Sequence, residues 1–419
     1  MSIFDIFHKP KQLRDRYAIA LDIGTEFVKA LIFRVEPRRG IVVGVGRQRQ
    51  RLQDMHGGGV TDIHGVIANA RRALDEAKLM AGLLPEQVII GIAGELVKGT
   101  TTTIRYVRPN PTATISFEEL RDIIARVQRR AFDRARSVLA WETGQSEIDV
   151  RLVNAAVVDV RIDGYKVTNP LGFQGKEVLV GVFNAFAPIV HLGALQTIAE
   201  NLDLDLLSIT AEPYAVARCT GESESQEFSG IFVDVGGGTT DIAVVRAGGV
   251  EGTKMFALGG RAFTKRVGTV LGLNFQEAED LKLQYASGEL PVKRAEDVRR
   301  ALEADLQVWY SGVELTLGEF TTVDLLPSRI LLCGGGSALP DISTLLRTAK
   351  WSRKLPFARK PAVHFIRPTD VAAIEDKTGL LTNPWDITPM ALANVAIDLV
   401  GEETVVDTIL TKVVGALRQ

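Results

Sequence analysis

The 419-residue sequence contains little cysteine, and the two cysteines that occur are far apart in the chain. Cys219 and Cys333 both lie in apolar surroundings, which predicts buried, reduced thiols in a cytosolic protein and excludes a disulfide framework. Long hydrophobic runs are also missing, because no apolar stretch approaches the ~20 residues that cross a bilayer. The N-terminus lacks a charged region followed by a long apolar core, so we expect no signal peptide.

An excess of either charge is absent as well. Lysine and arginine number 49 against 51 aspartates and glutamates, which gives a formal net charge of -2. Proteins that bind nucleic acid normally carry a basic excess, so this balance excludes nucleic acid as the main partner. The hydrophobic fraction of 46% is ordinary for a globular protein, and the length predicts two to three domains.

The most informative stretch is 231–245, Ile-Phe-Val-Asp-Val-Gly-Gly-Gly-Thr-Thr-Asp-Ile-Ala-Val-Val. It predicts a hairpin in which an apolar strand ends at Asp234 and a second strand returns after a glycine turn. Glycine lets the backbone approach a ligand closely, and consecutive N–H groups form a nest for an anion. Because Asp234 repels a phosphate, a cation must lie between them, which indicates a Mg²⁺-nucleotide site. The alternative is a hairpin that only reverses the chain. The turn contains Gly236, Gly237, Gly238, Thr239 and Thr240.

A second stretch, 17–33, repeats this design with Asp22 at the end of an apolar strand. A turn with Gly24 and Thr25 follows, and the ammonium of Lys29 is placed to reach phosphate oxygens as a point charge. Two similar hairpins some 200 residues apart indicate an internal duplication with a ligand between the halves. A third glycine turn, Gly334-Gly335-Gly336-Ser337, follows an apolar strand at 329–333.

These three turns resemble the phosphate-1, phosphate-2 and adenosine motifs of the actin-like ATPase superfamily, in the same order. The resemblance implies two domains that clamp ATP or ADP with Mg²⁺, which Asp22 and Asp234 would hold mainly through waters. Glu212, which precedes Pro213, resembles the glutamate at a helix start that orients the attacking water. The resemblance therefore implies catalytic roles for Glu212, Asp22 and Asp234.

Two further matches lie in the second half of the chain. Glu279 and Lys282 are one helical turn apart and resemble the pair that contacts ribose and adenine, although the spacing equally fits a solvated ion pair. Gly259 and Gly260 resemble the glycine turn of the second domain. The nucleotide-binding residues that the resemblance implies are Gly24, Thr25, Lys29, Gly236, Gly237, Gly238, Thr239, Thr240, Gly259, Gly260, Glu279, Lys282, Gly334, Gly335, Gly336 and Ser337.

Residues 95–185 distinguish between families of this superfamily. They contain a helix start at Ser116 with a capping-box glutamate, and a hairpin signal at Asp163-Gly164. This signal and the stretch 169–175 resemble the FtsA family of bacterial cell division proteins and its relative PilM from type IV pilus assembly, although Gln174-Gly175 replaces a Ser-Gly element. The resemblance implies an α/β, actin-like two-domain ATPase fold, with duplicated RNase H-like domains and an FtsA-type α+β subdomain inserted in the first.

These patterns predict both the domains and their main elements. The expected domains are a tail (1–16), the first domain in two parts (17–94 and 186–227), the inserted subdomain (95–185), the second domain (228–384) with a small lobe at about 261–325, a return helix (385–401) and a C-terminal amphipathic helix (402–419). The expected strands are 27–35, 40–48, 88–93, 154–163 and 177–185, and the expected helices are 62–81, 116–137 and 188–201.

Both ends of the chain are candidates for membrane contact. Met1–Arg16 combines apolar residues with cations, which suits a membrane interface, a motif for a partner or an edge that packs. Glu402–Gln419 has an apolar stripe at helical spacing, but its few cations and its lack of Trp and Phe favour packing on its own domain or on a partner subunit. The arginines of the insert either solvate a helix or bind a partner; they are Arg126, Arg129, Arg130, Arg134 and Arg136.

Three functions remain open at the level of sequence. The first is an FtsA-like protein that binds Mg-ATP, hydrolyses it slowly and polymerises at the inner face of the cell membrane in cell division. Its implied partners are further copies of itself and a tubulin-like division protein or the tail of a membrane protein. The second is a PilM-like ATP-binding scaffold of pilus assembly. The third, a small-molecule kinase or chaperone-type ATPase, is opposed by the position of the insert.

Overall fold

Two β-sheets with the same internal strand order organise the computed structural model, which describes residues 16–144, 148–221, 228–321, 323–348, 353–399 and 405–417. The tail at Met1–Arg16 therefore lies outside the described residues apart from Arg16. The first part of the chain forms β1 (Tyr17–Ile23), β2 (Phe27–Glu36), β3 (Arg39–Arg49), β4 (Met55–His56), β5 (Gly59–Val60), α1 (Ile63–Ala81) and β6 (Gln87–Ile92).

The insert and the end of the first half follow. The insert forms β7 (Lys98–Val107), α2 (Phe117–Thr143), β8 (Val150–Ile162), β9 (Tyr165–Lys166) and β10 (Glu177–Pro188). The chain then forms α3 (Ile189–Asn201), β11 (Asp205–Ala211) and α4 (Glu212–Arg218). Helix α2 extends beyond the predicted end near residue 137, because its buried face continues through Leu139. Gly144, with φ of 67°, ends it in a left-handed cap.

The second half is built in the same manner. It contains β12 (Gly230–Val235), β13 (Thr240–Arg246), β14 (Gly249–Phe256), α5 (Gly260–Leu271), α6 (Phe275–Ser287), α7 (Val292–Gly318), β15 (Arg329–Cys333), α8 (Pro340–Thr348), β16 (Ala362–Phe365), β17 (Ile374–Asp376), α9 (Ile387–Asp398) and α10 (Val405–Leu417).

The strand order confirms the predicted duplication. The first sheet has the order β11-β6-β1-β2-β3-β17, with β1, β2 and β3 antiparallel and β6 and β11 parallel to β1. The second sheet begins β16-β15-β12-β13-β14, with the same directions at each equivalent strand. Strand β1 is buried along nearly its whole length, as expected for a strand covered on both faces.

The insert continues the second sheet, a feature that sequence patterns did not indicate. Strand β7 pairs with β14 through Gly252 opposite Thr100 and Thr253 opposite Gly99, and the strands β10, β8 and β9 follow. A Cβ atom on Gly99 would lie 2.1 Å from the Thr253 hydroxyl. The glycine therefore permits this close crossing, through which the insert is hydrogen-bonded to the second half of the chain.

The two C-terminal helices cover different surfaces. Helix α9 is buried from Ile387 to Ile397 and packs on α4 and on strands of the first sheet. The apolar stripe of α10 packs on α2 in the core of the insert, with Val406, Ile409 and Val413 buried. The structure thus favours the packed alternative for the C-terminal helix. Among the described residues, no helix has the length and apolar character that a membrane crossing requires.

Candidate functional site

The hairpin of β1 and β2 places an acid and a base directly opposite each other. Asp22 pairs with Lys29 in the antiparallel register, and the Lys29 ammonium donates to the Asp22 carboxylate at 2.9 Å. Burial lowers the pKa of Lys29, but Asp22 and Asp234 outweigh it and the net shift is upward. Lys29 therefore stays charged and lies beside the first turn, where it can also meet an anion.

The hairpin of β12 and β13 places two acids opposite each other. Asp234 pairs with Asp241, which occupies the position equivalent to Lys29. Burial, followed by the charge of Asp234, raises the pKa of Asp241 to about 7. Burial also raises the pKa of Asp234, although a hydrogen bond from Thr388 opposes the shift. Two carboxyls that face each other away from bulk water, with Asp241 buried and Asp234 half-buried, favour either a proton or a cation between them.

The two glycine turns meet between the halves of the molecule. A Cβ on Gly238 would lie 2.9 Å from the Thr25 hydroxyl, and one on Gly237 would lie 2.9 Å from the Cβ of Glu26. The N–H of Gly236 closes the second turn on the Thr239 carbonyl at 2.9 Å. Within the described residues, the N–H groups of Gly237 and Gly238 donate to no partner, as an anion nest requires.

The glycines at the start of α5 pack against the backbone of this second turn. The N–H of Gly260 donates to the Gly236 carbonyl at 2.9 Å, and a Cβ on Gly259 would lie 2.5 Å from that oxygen. Lys282 donates to the Gly260 carbonyl at 3.2 Å and to Glu279 at 2.8 Å. Glu279 and Lys282 are each 7% exposed, so the solvated ion pair that sequence spacing allowed is wrong.

The third glycine turn packs against the hairpin of β12 and β13. Gly334 has φ of 82°, and a Cβ there would lie 2.0 Å from the Asp234 carboxylate, so glycine is required. A Cβ on Gly336 would lie 3.0 Å from the Val235 carbonyl, whereas Gly335 has more space and faces Trp385. Ser337 is buried and donates to the Gly334 carbonyl at 2.7 Å, so its hydroxyl shapes the turn instead of facing outward.

Two of the predicted threonines use their hydroxyls within the protein. Thr240 donates to the Leu258 carbonyl at 2.7 Å and accepts from the Trp309 indole at 2.9 Å. Thr239 donates to Asp241 at 3.0 Å. The hydroxyl of Thr25 has no hydrogen-bond partner in the part of the chain that the structure describes. Thr25 is therefore the threonine of this set that can offer its hydroxyl to a ligand.

Glu212 begins α4 and is half-buried between the two hairpins. Pro213 at the first turn of the helix fixes its start, since proline is pre-organised for this position. A Cβ on Gly91 would lie 2.5 Å from a Glu212 carboxylate oxygen, so β6 approaches the side chain through a glycine. Burial, followed by the charges of Asp22, Asp241 and Asp234, raises the pKa of Glu212 well above its usual range.

Sequence reasoning missed three groups that surround these residues. Thr388, at the start of α9, donates to the second oxygen of Asp234 at 2.7 Å. Asp386 is fully buried and pairs with Arg47 of β3. Arg261 joins the halves through Glu26 at 2.7 Å. All three contacts join residues far apart in the chain, so no local sequence pattern indicates them.

The arrangement suits a metal that is held largely by water and ligand oxygens. The described residues contain no group of three or more His, Cys, Asp or Glu side chains arranged to enclose a metal ion. Mg²⁺ normally takes one or two carboxylates and completes its shell with waters and phosphates. Asp234, facing Asp241, can supply such a carboxylate, and the free N–H groups beside it can bind phosphate.

Comparison with known proteins agrees with the fold. Residues 231–384 match the family model for the cell division protein FtsA. The chain is 27% identical to cell division protein FtsA of Pseudomonas aeruginosa over 346 residues, and the aligned region covers 77% of this chain and 78% of the relative. It is 24% identical over 349 residues to FtsA of Enterococcus hirae, which spans 78% and 75%. In the PilM-PilN type IV pilus biogenesis complex, one chain matches with a TM-score of 0.63 and 17% identity, over 93% of this chain and 100% of that one.

Proposed function

Since this chain is an actin-like member of the FtsA family, we propose that it binds Mg-ATP between its two halves and polymerises into filaments at the cytoplasmic face of the cell membrane, in cell division. The observation that carries the nucleotide part is the pair of hairpins whose turns meet. One hairpin offers a charged lysine and the other offers two opposed acids beside free backbone N–H groups.

In this proposal, residues from both halves of the molecule contact the nucleotide. Lys29 and the Thr25 hydroxyl bind phosphate from the first half, and the N–H groups of Gly237 and Gly238 bind it from the second. Glu279 and Lys282 line the sugar and base side, and Gly334 with its neighbours closes it. Mg²⁺, when bound, neutralises phosphate charge, and Asp22 and Asp234 orient its shell.

Glu212 is the residue that we propose for positioning the attacking water. It lies between both hairpins and is close enough to Asp22, Asp234 and Asp241 to feel their charges. Catalysis would rest on positioning and electrostatics, as is usual for phosphoryl transfer. ATP differs from ADP by a phosphate that both turns can contact, so it biases closure, and closure biases the contacts between copies. Slow hydrolysis then acts as a timer.

The test is Asp234→Asn, which keeps the shape of the side chain and removes its charge. We expect at least tenfold weaker Mg-ATP binding by calorimetry and no nucleotide-dependent pelleting, whereas the exposed Asp75→Asn on α1 should behave like the parent protein. Normal ATP binding together with normal sedimentation by the Asp234 variant would overturn the site assignment. Intact Mg-ATP binding with loss of pelleting would likewise remove Asp234 from the nucleotide site and would place its effect in assembly.

A second candidate function follows from the placement of α10. The apolar side chains of this helix are buried against α2, so the stripe that resembled a membrane helix is not exposed there. This favours a PilM-like scaffold that binds the tail of a membrane protein and does not polymerise. Electron microscopy with ATP on a lipid monolayer separates the two functions, because ordered protofilaments support the first and soluble monomers throughout support the second.

The partners proposed for the filament function are further copies of the chain and a tubulin-like division protein or the tail of a membrane protein. We place the protein in the cytoplasm, peripheral at the inner face of the membrane. Cross-linking of purified protein with and without ATP tests the first partner directly, since contacts between copies should increase when the cleft closes on nucleotide.

A further inference from the structure

The long helix α2 presents a charged face that the nucleotide site does not use. Its apolar side is buried in the core of the insert through Leu120, Ile124 and Val127. The opposite side carries five exposed arginines. Arg126 stacks over the ring of Tyr106 at 5.5 Å. Within the described residues the other four form no ion pair; they are Arg129, Arg130, Arg134 and Arg136.

Helical geometry gathers these side chains on one strip. Arg126, Arg130 and Arg134 follow at i+4 spacing, and Arg129 and Arg136 follow at i+7 spacing beside them. Between residues 126 and 137 the sequence contains five arginines and a single acid, Asp133. The strip is therefore strongly cationic and, because arginine stays protonated, keeps this charge at any physiological pH.

An exposed aromatic side chain lies at the end of the same strip. Trp141 is 85% exposed and Val138 is 38% exposed, one turn before the helix ends at Thr143. From residue 126 to residue 141 the strip is about 22 Å long at the helical rise of ~1.5 Å per residue. Tryptophan with neighbouring cations is the combination that lies well at a lipid–water boundary.

We propose that this strip, the α2 basic face (Arg126, Arg129, Arg130, Arg134, Arg136 and Trp141), binds the anionic surface of a lipid membrane. Because the face is cationic, charge complementarity requires an anionic partner. Clusters of arginine also bind acidic peptides, but these side chains stand on the exposed ridge of a helix that ends beside the exposed Trp141, which suits an extended, nearly planar lipid surface. The stripe of α10 is buried on the inner side of α2, so it does not compete for this role.

The inference rests on the proposed location at the membrane and is independent of nucleotide binding. Each arginine near an anionic surface strengthens binding roughly fivefold, so removing three should weaken it about 100-fold. The interaction is also expected to fall in high salt, because screening shortens the reach of exposed charges.

The experiment is co-sedimentation of the full chain with vesicles of phosphatidylglycerol and phosphatidylethanolamine, and with neutral phosphatidylcholine vesicles. We expect binding to the anionic vesicles alone. The variant R129E/R130E/R134E should bind the anionic vesicles about 100-fold more weakly or worse, and Trp141→Ser should weaken this binding severalfold. The matched control R72E/K293E/R294E reverses three exposed cations on α1 and α7 and should bind like the parent, and all variants should bind ATP equally.

The other outcomes are distinct. If the α2 variant still pellets with anionic vesicles while F4S/F7S does not, the N-terminal tail is the contact and the inference is wrong, although membrane association stands. If the parent chain pellets with neither kind of vesicle, both the inference and the proposed membrane location are wrong. The nucleotide site is then tested separately by ATP binding. If the parent ignores vesicles but binds a soluble polyglutamate peptide through these arginines, the face docks a protein and the lipid proposal is overturned.

Discussion

At the scale of single residues, the position opposite each hairpin aspartate determines what the site can bind. Asp22 faces Lys29 and is neutralised by it at 2.9 Å. Asp234 faces Asp241 instead and lacks such a base in the pairing position. The duplication has therefore produced one half with an internal cation and one half that favours an external cation, which is why we propose that Mg²⁺ lies nearer to Asp234 than to Asp22.

The opposed acids predict a pH-dependent stability of the ligand-free protein. Folding raises the pKa of Asp241 from 3.8 to about 7, so the folded state binds more protons between those values. Its free energy of unfolding then falls as pH rises from about 4 to about 7, and levels above that. Asp241→Asn should therefore stabilise the protein at pH 8 by up to about 4 kcal/mol.

Urea unfolding of parent and Asp241→Asn at pH 8 and at pH 5 measures this effect. At pH 5 the Asp241 carboxyl of the folded parent is already mostly protonated. The increase in the free energy of unfolding that Asp241→Asn causes should therefore shrink to a fraction of its value at pH 8. An equal gain at both pH values would show that repacking, and not charge, is responsible. Asp75→Asn on the exposed side of α1 is the control and should shift neither curve.

Thr388 predicts a second effect at this scale. It is 4% exposed and donates to the Asp234 carboxylate at 2.7 Å, so it fixes the orientation of the proposed Mg²⁺ ligand. A hydrogen bond to a charged group contributes about 1.5–3 kcal/mol. Thr388→Val should therefore weaken Mg-ATP binding at least tenfold, whereas Thr388→Ser, which keeps the hydroxyl, should stay near the parent.

Calorimetry with ATP in the presence and absence of Mg²⁺ distinguishes positioning from general damage. The loss of ATP affinity caused by Thr388→Val should appear mainly when Mg²⁺ is present, because the threonine acts through the Asp234 carboxylate and not on the base or sugar. An equal loss in both conditions would indicate a distorted cleft and would remove the positioning role from Thr388.

At the scale of elements, local patterns predicted what local residues determine. The glycine hairpins, the helix that begins at Ser116 and the turn at Asp163-Gly164 all carry their signals within a few residues. The pairing of β7 with β14 carries no such signal, because it depends on residues 99–100 and 252–253 meeting across the fold. Thr388 and Asp234 are likewise joined only by the return of α9. Contacts of this kind require the tertiary structure.

The packing of α10 gives a prediction for an element. Ile409 is fully buried in the core of the insert, so Ile409→Ala leaves a cavity and should weaken the docking of α10 by about 2–5 kcal/mol. Hydrogen exchange should then become faster in α10 and along the facing side of α2. Thr411→Ala, on the less buried side of the same helix, should leave exchange unchanged. Slow exchange in the Ile409 variant would mean that α10 is held by other contacts.

At the scale of the whole molecule, an ion pair between Glu26 and Arg261 joins the two halves beside the glycine turns. Glu26 follows Thr25 and accepts from Arg49 at 2.7 Å and from Arg261 at 2.7 Å. Arg261 lies next to Gly260, and it also donates to the carbonyls of Leu52 and Met55. The side chain of Arg261 is 11% exposed and that of Glu26 is 16% exposed, so solvent screens this ion pair, which we call the clasp, less than it screens a surface pair.

The clasp predicts how fast nucleotide leaves. Opening the cleft must break the contact between Glu26 and Arg261, which for a partly buried, charge-assisted pair contributes about 1–2 kcal/mol. Glu26→Gln should therefore speed release of a fluorescent ADP analogue about 5- to 30-fold in stopped-flow chasing, with a smaller change in the association rate. Glu296→Gln, which breaks an exposed pair within α7, should release at the parental rate. Because the partners of the Glu26 carboxylate are Arg49 and Arg261, the Mg²⁺ dependence of binding should be retained. Release at the parental rate by Glu26→Gln would show that the halves separate without breaking this ion pair.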